Sequence, residues 1–454
     1  MTTAAAAALL DRAQPFLKAG VLDASDVHAI ALTAPRFGED DVERMLGLAF
    51  AARAPRVSHP GVDLRTLRQH IVIETDETLP WPSDPDAWAR HTLASPMVGG
   101  PDEALKPFVA QPRRSASDAP LLLTRRMYVE QQRVATALMA RAACEVPEVA
   151  RISDLDATLA RLFPSGAGTD GPDGEAARAV RLAATKRLAL IVGGPGTGKT
   201  FSVTRLLAAL MEGRTLSVAL AAPTGKAAAR MREAIREAID ATAQPVLKIS
   251  DEVRARLQSL PATTLHRLVG VRPNGTVRHT VANPIPAQLV IVDEVSMVDL
   301  TMMRRLLEAV HPDARLVLLG DRDQLASVEA GCVLADLVPP AGREASGSTT
   351  AAAHRAPLAA NTQTFTRSRR FESAPDIALI AACLQSYATQ HPDIPRDDPA
   401  AAHALAIEVF SGARHASQET EPDWRIERLA APDRSDRVAK PTAQQLTRLA
   451  APYL

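Results

Sequence analysis

The stretch "IVGGPGTGKTFS" (residues 191–202) decides the fold, because it places four glycines and a proline between an apolar run and a lysine followed by hydroxyl side chains. The apolar run "LALIV" (188–192) has the length of a strand, and "TFSVTRLLAALM" (200–211) has a helical pattern. The residues between them follow the pattern GxxxxGK[ST], which is typical of a phosphate-binding loop between a strand and a helix. The predicted loop comprises Gly193, Gly194, Pro195, Gly196, Thr197, Gly198, Lys199 and Thr200.

Glycines allow this loop to adopt positive φ angles, so that successive N–H groups can surround a phosphate chain at the positive end of the helix. We expect Lys199 to reach the terminal phosphates of ATP and the Thr200 hydroxyl to bind Mg²⁺. The alternative is a glycine-rich turn that binds no ligand. The eight-residue pattern, found between a strand and a helix, favours the nucleotide site.

Three further apolar runs have the length of strands: "SVALAA" (217–222), "AQLVIV" (287–292) and "ARLVLL" (314–319). Apolar runs without strict alternation are typical of parallel strands that helices cover on both faces. The sequence therefore predicts an α/β fold with a doubly wound parallel sheet, in the manner of P-loop domains. Ligands of such sheets bind beyond the carboxyl ends of the strands, where the glycine loop also falls.

Two adjacent acids, Asp293 and Glu294, follow the run "AQLVIV". Because strand side chains alternate, we expect the two carboxyl groups to point in different directions. Asp293 is then the candidate for the Mg²⁺ shell, and Glu294 is the candidate acceptor for a proton from the attacking water. Acids are common at strand ends, and the phosphate loop in the same domain is what favours a catalytic role.

Gln324 lies in "GDRDQL", directly after the run "ARLVLL". Its amide can hydrogen-bond to the γ-phosphate or to the attacking water, and so report the loss of the phosphate. The alternative is an ordinary turn capped by Asp321.

Composition excludes several classes of protein. Lys and Arg total 52, as do Asp and Glu, so the net charge does not indicate a general polyanion binder. The three cysteines, Cys144, Cys332 and Cys383, lack the spacing of zinc or redox pairs, and we expect reduced core thiols. The first residues lack a basic leader and no apolar run spans a bilayer, so we expect a cytoplasmic protein without membrane contact.

Stretches rich in proline, glycine and serine divide the chain. We predict an N-terminal, mainly helical region (1–120) and a helical connector (121–175), followed by an ATPase domain (176–338). A flexible linker (339–363) then leads to part of a further domain (364–454).

Five motifs in order resemble those of one family: "GGPGTGKT", "LAAPTGKAAARM", "ATTLHRLVG", "VIVDEVSMVDLTMM" and "LGDRDQLASVEAG". They are similar to the RecD-type superfamily 1 DNA helicases, the α subunits of exodeoxyribonuclease V. The resemblance implies a RecA-like ATPase domain, a second, here incomplete, RecA-like domain and ATP-driven movement from 5′ to 3′ along single-stranded DNA. It also implies that residues 1–120 dock on the β and γ subunits of a heterotrimer that acts in double-strand break repair and degrades linear DNA.

The resemblance assigns DNA contacts to two segments. One contains Pro223, Thr224, Gly225 and Lys226, and the other contains Thr264, Leu265 and His266. The alternatives are a loop that caps a helix and a structural histidine. Arg370 in "RSRRF" matches an arginine that reaches the γ-phosphate across the cleft in this family, and its alternative is a solvated basic cluster.

Two departures from the family pattern limit the resemblance. Glu175 or Ala176 stands where family members have a glutamine that reads adenine, which leaves the choice between ATP and GTP open. The sequence also ends without the late motifs "TxHxSQG" and "YTAxTRA", as expected of a truncated or frame-shifted copy, or of a sequence that stops early. The main alternative to a helicase subunit is thus a homologue that binds ATP, single-stranded DNA or partner subunits without unwinding. A kinase or GTPase would lack "PTGKAAAR" and "GDRDQL".

Overall fold

The computed structural model describes residues 2–71, 78–112, 120–147, 152–164, 171, 174–240, 247–322, 324, 330–331, 333–338 and 358–366. The described N-terminal residues form four α-helices, and three of them begin at an aspartate cap: Asp23, Asp41 and Asp84 each accept a hydrogen bond from a backbone N–H of the first turn of the helix that follows. These helices are α1 (Thr2–Lys18), α2 (Ala24–Thr33), α3 (Val42–Arg53) and α4 (Pro85–Leu93).

A small sheet accompanies the N-terminal helices, and its order is β1-β4-β3-β2. Its strands are β1 (Gly61–Val62), β2 (Val98–Gly99), β3 (Phe108–Gln111) and β4 (Leu121–Thr124). Leu122 of this sheet packs in one apolar cluster with Phe16 and Phe50 of the helices. β4 begins next to the predicted boundary at residue 120 and pairs with β1 and β3, so the N-terminal unit includes it.

Helix α5 (Arg125–Ala142) leads from this unit into the next. The buried Arg141 near its end donates hydrogen bonds to the carbonyls of Val310, His311 and Ala314. Burial, and then the nearby charge of Arg187, lower the pKa of Arg141 to about 10. Because a buried guanidinium requires such acceptors, α5 is fixed against the second unit.

The second unit is the predicted doubly wound α/β domain. Its six strands pair in parallel in the order β10-β5-β9-β8-β6-β7. They are β5 (Leu188–Gly193), β6 (Val218–Ala222), β7 (Ala262–Thr264), β8 (Leu289–Val292), β9 (Arg315–Gly320) and β10 (Thr362–Phe365). Neighbouring residues of β5 pack in different apolar clusters: Ile191 belongs to one cluster and Leu190 belongs to the other. Both faces of the sheet are therefore covered.

Helices connect these strands. They are α6 (Leu155–Leu162), α7 (Glu175–Thr185), α8 (Lys199–Met211), α9 (Gly225–Ile239), α10 (Asp251–Ser259), α11 (Leu265–Val269), α12 (Leu300–Ala309) and α13 (Val333–Leu337). All four apolar runs that predicted strands form β5, β6, β8 and β9 of one sheet, which confirms the fold class.

Two strands of this sheet were not predicted. β7 is three residues long, and β10 comes from residues that overlap the predicted linker and pairs with β5. The rest of the predicted second motor domain, beyond residue 366, lies outside the described residues.

Cys144 is exposed, so the prediction of a core thiol is wrong for this cysteine. It lies in the turn after α5, where its backbone rather than its side chain contacts the second unit, through a hydrogen bond from the Arg187 N–H. Cys332 and Cys383 lie outside the described residues. Within the described part of the chain, no helix combines the length and the apolar character needed to cross a bilayer.

Candidate nucleotide and DNA site

The predicted phosphate loop connects the buried strand β5 to helix α8. Gly196 and Gly198 have φ angles of 74° and 95°, which non-glycine residues rarely adopt. At Gly193, an added Cβ would lie 2.7 Å from the Phe365 Cβ and 2.9 Å from the Thr197 Oγ1, so this position also requires glycine. The Thr197 hydroxyl closes the loop by donating to the Gly194 carbonyl at 2.8 Å. The sequence therefore specifies the loop backbone at several points.

Lys199, the first residue of α8, points back along the loop. Its Nζ donates to the carbonyl oxygens of Gly193 and Gly194, the latter at 2.9 Å. Burial lowers the pKa of Lys199, and the negative charges of Asp321, Asp293 and Glu294 act against this effect. The ammonium group therefore lies among carboxylates at the carboxyl edge of the sheet, within reach of the loop.

Asp293 and Glu294 follow β8 at the same edge. The Glu294 N–H donates to the Asp293 Oδ1 at 2.9 Å, and the Asp293 N–H donates to the Ala221 carbonyl at 2.9 Å. Glu294 has a φ of 53°, in the left-handed region. The prediction that strand alternation separates the two carboxyl groups is wrong in its cause, because β8 ends at Val292 and a left-handed turn sets the direction at Glu294.

Burial raises the pKa of both acids. For Asp293, the hydrogen bond from Glu294 and the charge of Lys199 oppose that rise. For Glu294, the charge of Asp293 adds to burial, whereas Lys199, Arg230 and a hydrogen bond from Gln324 lower its pKa. A carboxylate with a raised pKa is a stronger base, which suits a proton acceptor.

Gln324 lies near this turn. Its Oε1 accepts from the Ser296 Oγ at 3.4 Å, and its side chain also hydrogen-bonds Glu294. Sequence reasoning considered Asp321 only as the cap of a turn and missed Arg230 entirely. Asp321 is buried directly after β9 and acts on Lys199, and Arg230 on α9 acts on Glu294. The position of Asp321 directly after a strand was the sequence feature that could have identified it. No sequence feature pointed to Arg230.

The residues present fit a nucleotide-bound Mg²⁺. Thr200 lies in the first turn of α8, and Asp293 interacts electrostatically with the neighbouring Lys199. Among the described residues there is no group of three His, Cys, Asp or Glu side chains that could hold a metal alone. One hydroxyl and one carboxylate are the limited protein share that Mg²⁺ takes when phosphates supply other ligands.

The two predicted DNA segments lie side by side. β6 pairs with β7 so that Ala222 is opposite Thr264, which places Pro223 and Thr224 beside the start of α11. The hydroxyls of Thr224 and Thr264 cap α9 and α11, accepting from backbone N–H groups at 3.1 and 3.4 Å. Lys226 and His266 are exposed in the first turns of these two helices. Both helices thus begin at one edge, with basic side chains on the surface.

The remaining candidate positions are Arg370 and the expected adenine-reading position at Glu175 or Ala176. Arg370 lies outside the described residues. Glu175 accepts hydrogen bonds from the Thr366 N–H at 3.2 Å and from the Thr366 hydroxyl at 2.7 Å, while Ala176 is buried. The carboxylate that stands near the expected adenine-reading position therefore holds the end of β10.

Comparisons with known proteins agree with this site. A model of an AAA domain matches residues 176–330, which include the loop, both acids and Gln324. The RecBCD enzyme subunit RecD of Mycobacterium tuberculosis strain H37Rv is 42% identical over 329 residues, which cover 71% of this chain and 52% of that protein. The same subunit of Mycolicibacterium smegmatis is 43% identical over 336 residues, covering 71% and 54% respectively.

A more distant relative is the ATP-dependent RecD2 DNA helicase of Deinococcus radiodurans. It is 39% identical over 202 residues, and the aligned region covers 42% of this chain and 25% of that protein. The chain spans about half the length of the mycobacterial relatives it matches. Over 71% of its length the chain is similar to these RecD subunits, and the AAA domain model matches the part of the chain that holds the candidate nucleotide site.

Proposed function

We propose that this chain is an ATP-dependent, 5′ to 3′ DNA helicase subunit of an exodeoxyribonuclease V complex. One observation carries the proposal: a phosphate loop, Lys199, two strand-end acids and Gln324 gather at the same sheet edge where α9 and α11 begin. A nucleotide bound there would lie next to the segments proposed to hold DNA. ATP hydrolysis and strand contact would then share one rigid sheet.

For hydrolysis, the loop N–H groups and Lys199 would hold the phosphates, and Lys199 would exchange its hydrogen bonds to Gly193 and Gly194 for bonds to phosphate oxygens. Glu294 would accept the proton of the attacking water, and Gln324 would orient that water beside it. Mg²⁺, held by Thr200 and Asp293, would neutralise phosphate charge.

For DNA, the exposed Lys226 and His266 and the N-termini of α9 and α11 offer positive groups to a phosphate backbone. Residues 261–292 support this proposal, because they contain three arginines and neither aspartate nor glutamate, in a chain whose net charge is zero. This local excess of positive charge extends from His266 along the residues that follow.

The finer proposals come from the family resemblance of the motifs, and two relatives named as RecBCD subunits support them. The N-terminal region 1–120 would dock on the β and γ subunits, and the assembly would act in the cytoplasm on broken and linear DNA. Residues 121–175, 339–363 and 364–454 would be the connector, the linker and part of a second motor domain. Arg370 of that last segment would reach the γ-phosphate and add roughly 10³ to 10⁵ in rate.

A second candidate function is binding of ATP and single-stranded DNA, or of partner subunits, without unwinding. The observation that favours it is that the described residues contain one RecA-like sheet, whereas unwinding requires a second domain to close over the nucleotide. Strong ATP turnover by this chain would argue against that candidate.

The test is ATP hydrolysis by the purified chain with and without oligo(dT), beside a Lys199→Ala control. We expect hydrolysis that DNA stimulates and that the control lacks. ATP binding without stimulated turnover would support the second candidate. Absence of nucleotide binding would contradict the helicase proposal and the ATP-binding form of the second candidate.

A further inference from the structure

Among the described residues, two other than glycine have a positive φ angle, Ser58 at 67° and Glu294 at 53°. L-amino acids adopt this conformation rarely, and it persists where the surrounding structure holds it in place. Glu294 belongs to the nucleotide site. Ser58 lies in the N-terminal unit, in the turn after α3, and its conformation calls for a separate explanation.

The Ser58 turn is firmly held on its own side. The N–H groups of Ser58 and His59 both donate to the Ala54 carbonyl, the latter at 2.9 Å. In the same turn, Arg56 forms an ion pair of 2.6 Å with Asp26, a buried residue of α2. The left-handed residue thus ends a short helical turn that is fixed to the N-terminal helices.

On its other side, the turn contacts the ATPase domain. The Ser58 carbonyl accepts a hydrogen bond from the Gly331 N–H at 3.2 Å. Gly331 has a φ of 100°, and an added Cβ would lie 3.0 Å from the Leu300 Cβ. The Ala330 carbonyl accepts from the Leu300 N–H at 3.1 Å. Ala330 and Gly331 are therefore held between the Ser58 turn and the start of α12.

These contacts lead back to the nucleotide site. Leu300 opens α12 six residues after Glu294, and Ser296 between them donates to Gln324. Through Gly331, Ala330 and Leu300, the Ser58 turn is therefore linked to the segment that joins Glu294 and Ser296 to α12. Ser58 lies far from the loop in sequence, and its contact is with the backbone.

We infer that the Ser58 turn is a positioning contact: it fixes Ala330 and Gly331 against the start of α12, shortly after the turn that holds Glu294 and Ser296, and so couples the N-terminal unit to ATP turnover. This inference rests on the proposed function. It predicts that disturbing the turn lowers turnover while nucleotide affinity is kept, because Lys199 bonds to carbonyls of the phosphate loop, whereas the Ser58 carbonyl bonds to Gly331.

The test compares Ser58→Val with Ser58→Gly in the full chain. Valine disfavours a positive φ, whereas glycine adopts it and keeps the carbonyl in place. We expect Ser58→Val to lower kcat for ATP about tenfold, with the Kd of methylanthraniloyl-ATP changed by less than about twofold, and Ser58→Gly to retain the kcat of the wild type. Melting temperatures show whether each variant is folded.

Gly331→Ala disturbs the same hydrogen bond at its donor residue, and it replaces Ser58→Val in the test if that variant does not fold. In the double variant, we expect a loss of kcat smaller than the product of the single losses, because both changes disrupt one contact. A wild-type kcat in Ser58→Val, a parallel loss of affinity, or fully additive effects would overturn the inference. Failure of the proposed function looks different: the wild-type chain itself would not turn over ATP, and the inference would fall with it.

Discussion

The backbone N–H of Glu294 donates a hydrogen bond to the Asp293 Oδ1 at 2.9 Å, and Glu294 itself has a left-handed φ of 53°, two residues after β8 ends. This hydrogen bond links the two acids, to which we assign separate tasks in the proposed hydrolysis. The pair is also costly, because burial raises the pKa of each carboxyl group.

That cost predicts an effect on stability. Asn at position 293 keeps the oxygen that accepts from Glu294 and removes the buried charge, so we expect Asp293→Asn to raise the Tm of the nucleotide-free protein by a few degrees at pH 7. The raised pKa sets the sign: the cost appears as the pH rises above the unfolded-state pKa, so the gain should vanish in acid. Melting curves of both proteins from pH 4 to 8 measure it, and a Tm gain that is equal at all pH values would contradict the argument.

Two glycines of the phosphate loop, Gly194 and Gly198, test whether backbone conformation sets the requirement for glycine. Gly194 and Gly198 both have space for a Cβ, but only Gly198, with a φ of 95°, has a backbone that disfavours other residues. We expect Gly198→Ala to destabilise the nucleotide-free protein by about 1–3 kcal/mol and Gly194→Ala to have little effect. Chemical denaturation compares them. Equal effects of the two changes would show that backbone conformation does not set the requirement.

Lys226 provides a test of the DNA-binding edge. If its ammonium group contacts a phosphate, Lys226→Ala should weaken binding of oligo(dT) and lower the slope of log K against log salt by about 0.7–1. Titrations monitored by fluorescence anisotropy at several salt concentrations measure this slope.

Lys248 is the matched control, since it is exposed and its carbonyl accepts from Arg161, which also bonds Glu212 at the end of α8 remote from the loop. We expect Lys248→Ala to leave the slope unchanged. Equal losses in both variants would indicate general electrostatic attraction rather than a DNA path along α9.

Much of the nucleotide site could be predicted because it is encoded locally. A buried strand, a glycine loop and a helix follow one another within residues 188–211, and Asp293 comes directly after another buried run. The contributions that escaped prediction are non-local or polar. β10 has the sequence "TQTF" and joins the sheet only by pairing with β5, from about 170 residues away.

The same reason explains what was missed around the acids. Local patterns describe which way a strand residue points, but the left-handed turn at Glu294 lies against a residue distant in sequence: an added Cβ on Gly320 would lie 3.2 Å from the Ser296 N. Ser58 and Gly331 are joined by a hydrogen bond between backbone atoms, and a pattern of side chains in the sequence does not predict such a bond.

The most direct test of the central claim is a comparison of Glu294→Gln with the wild-type chain in ATP binding and in single-turnover hydrolysis with oligo(dT). Gln keeps the size of the side chain and removes the proton acceptor. The account predicts an unchanged Kd for ATP and a rate of hydrolysis lower by about 10²–10⁴-fold. Hydrolysis by Glu294→Gln at the wild-type rate would contradict the assignment of this residue as the base.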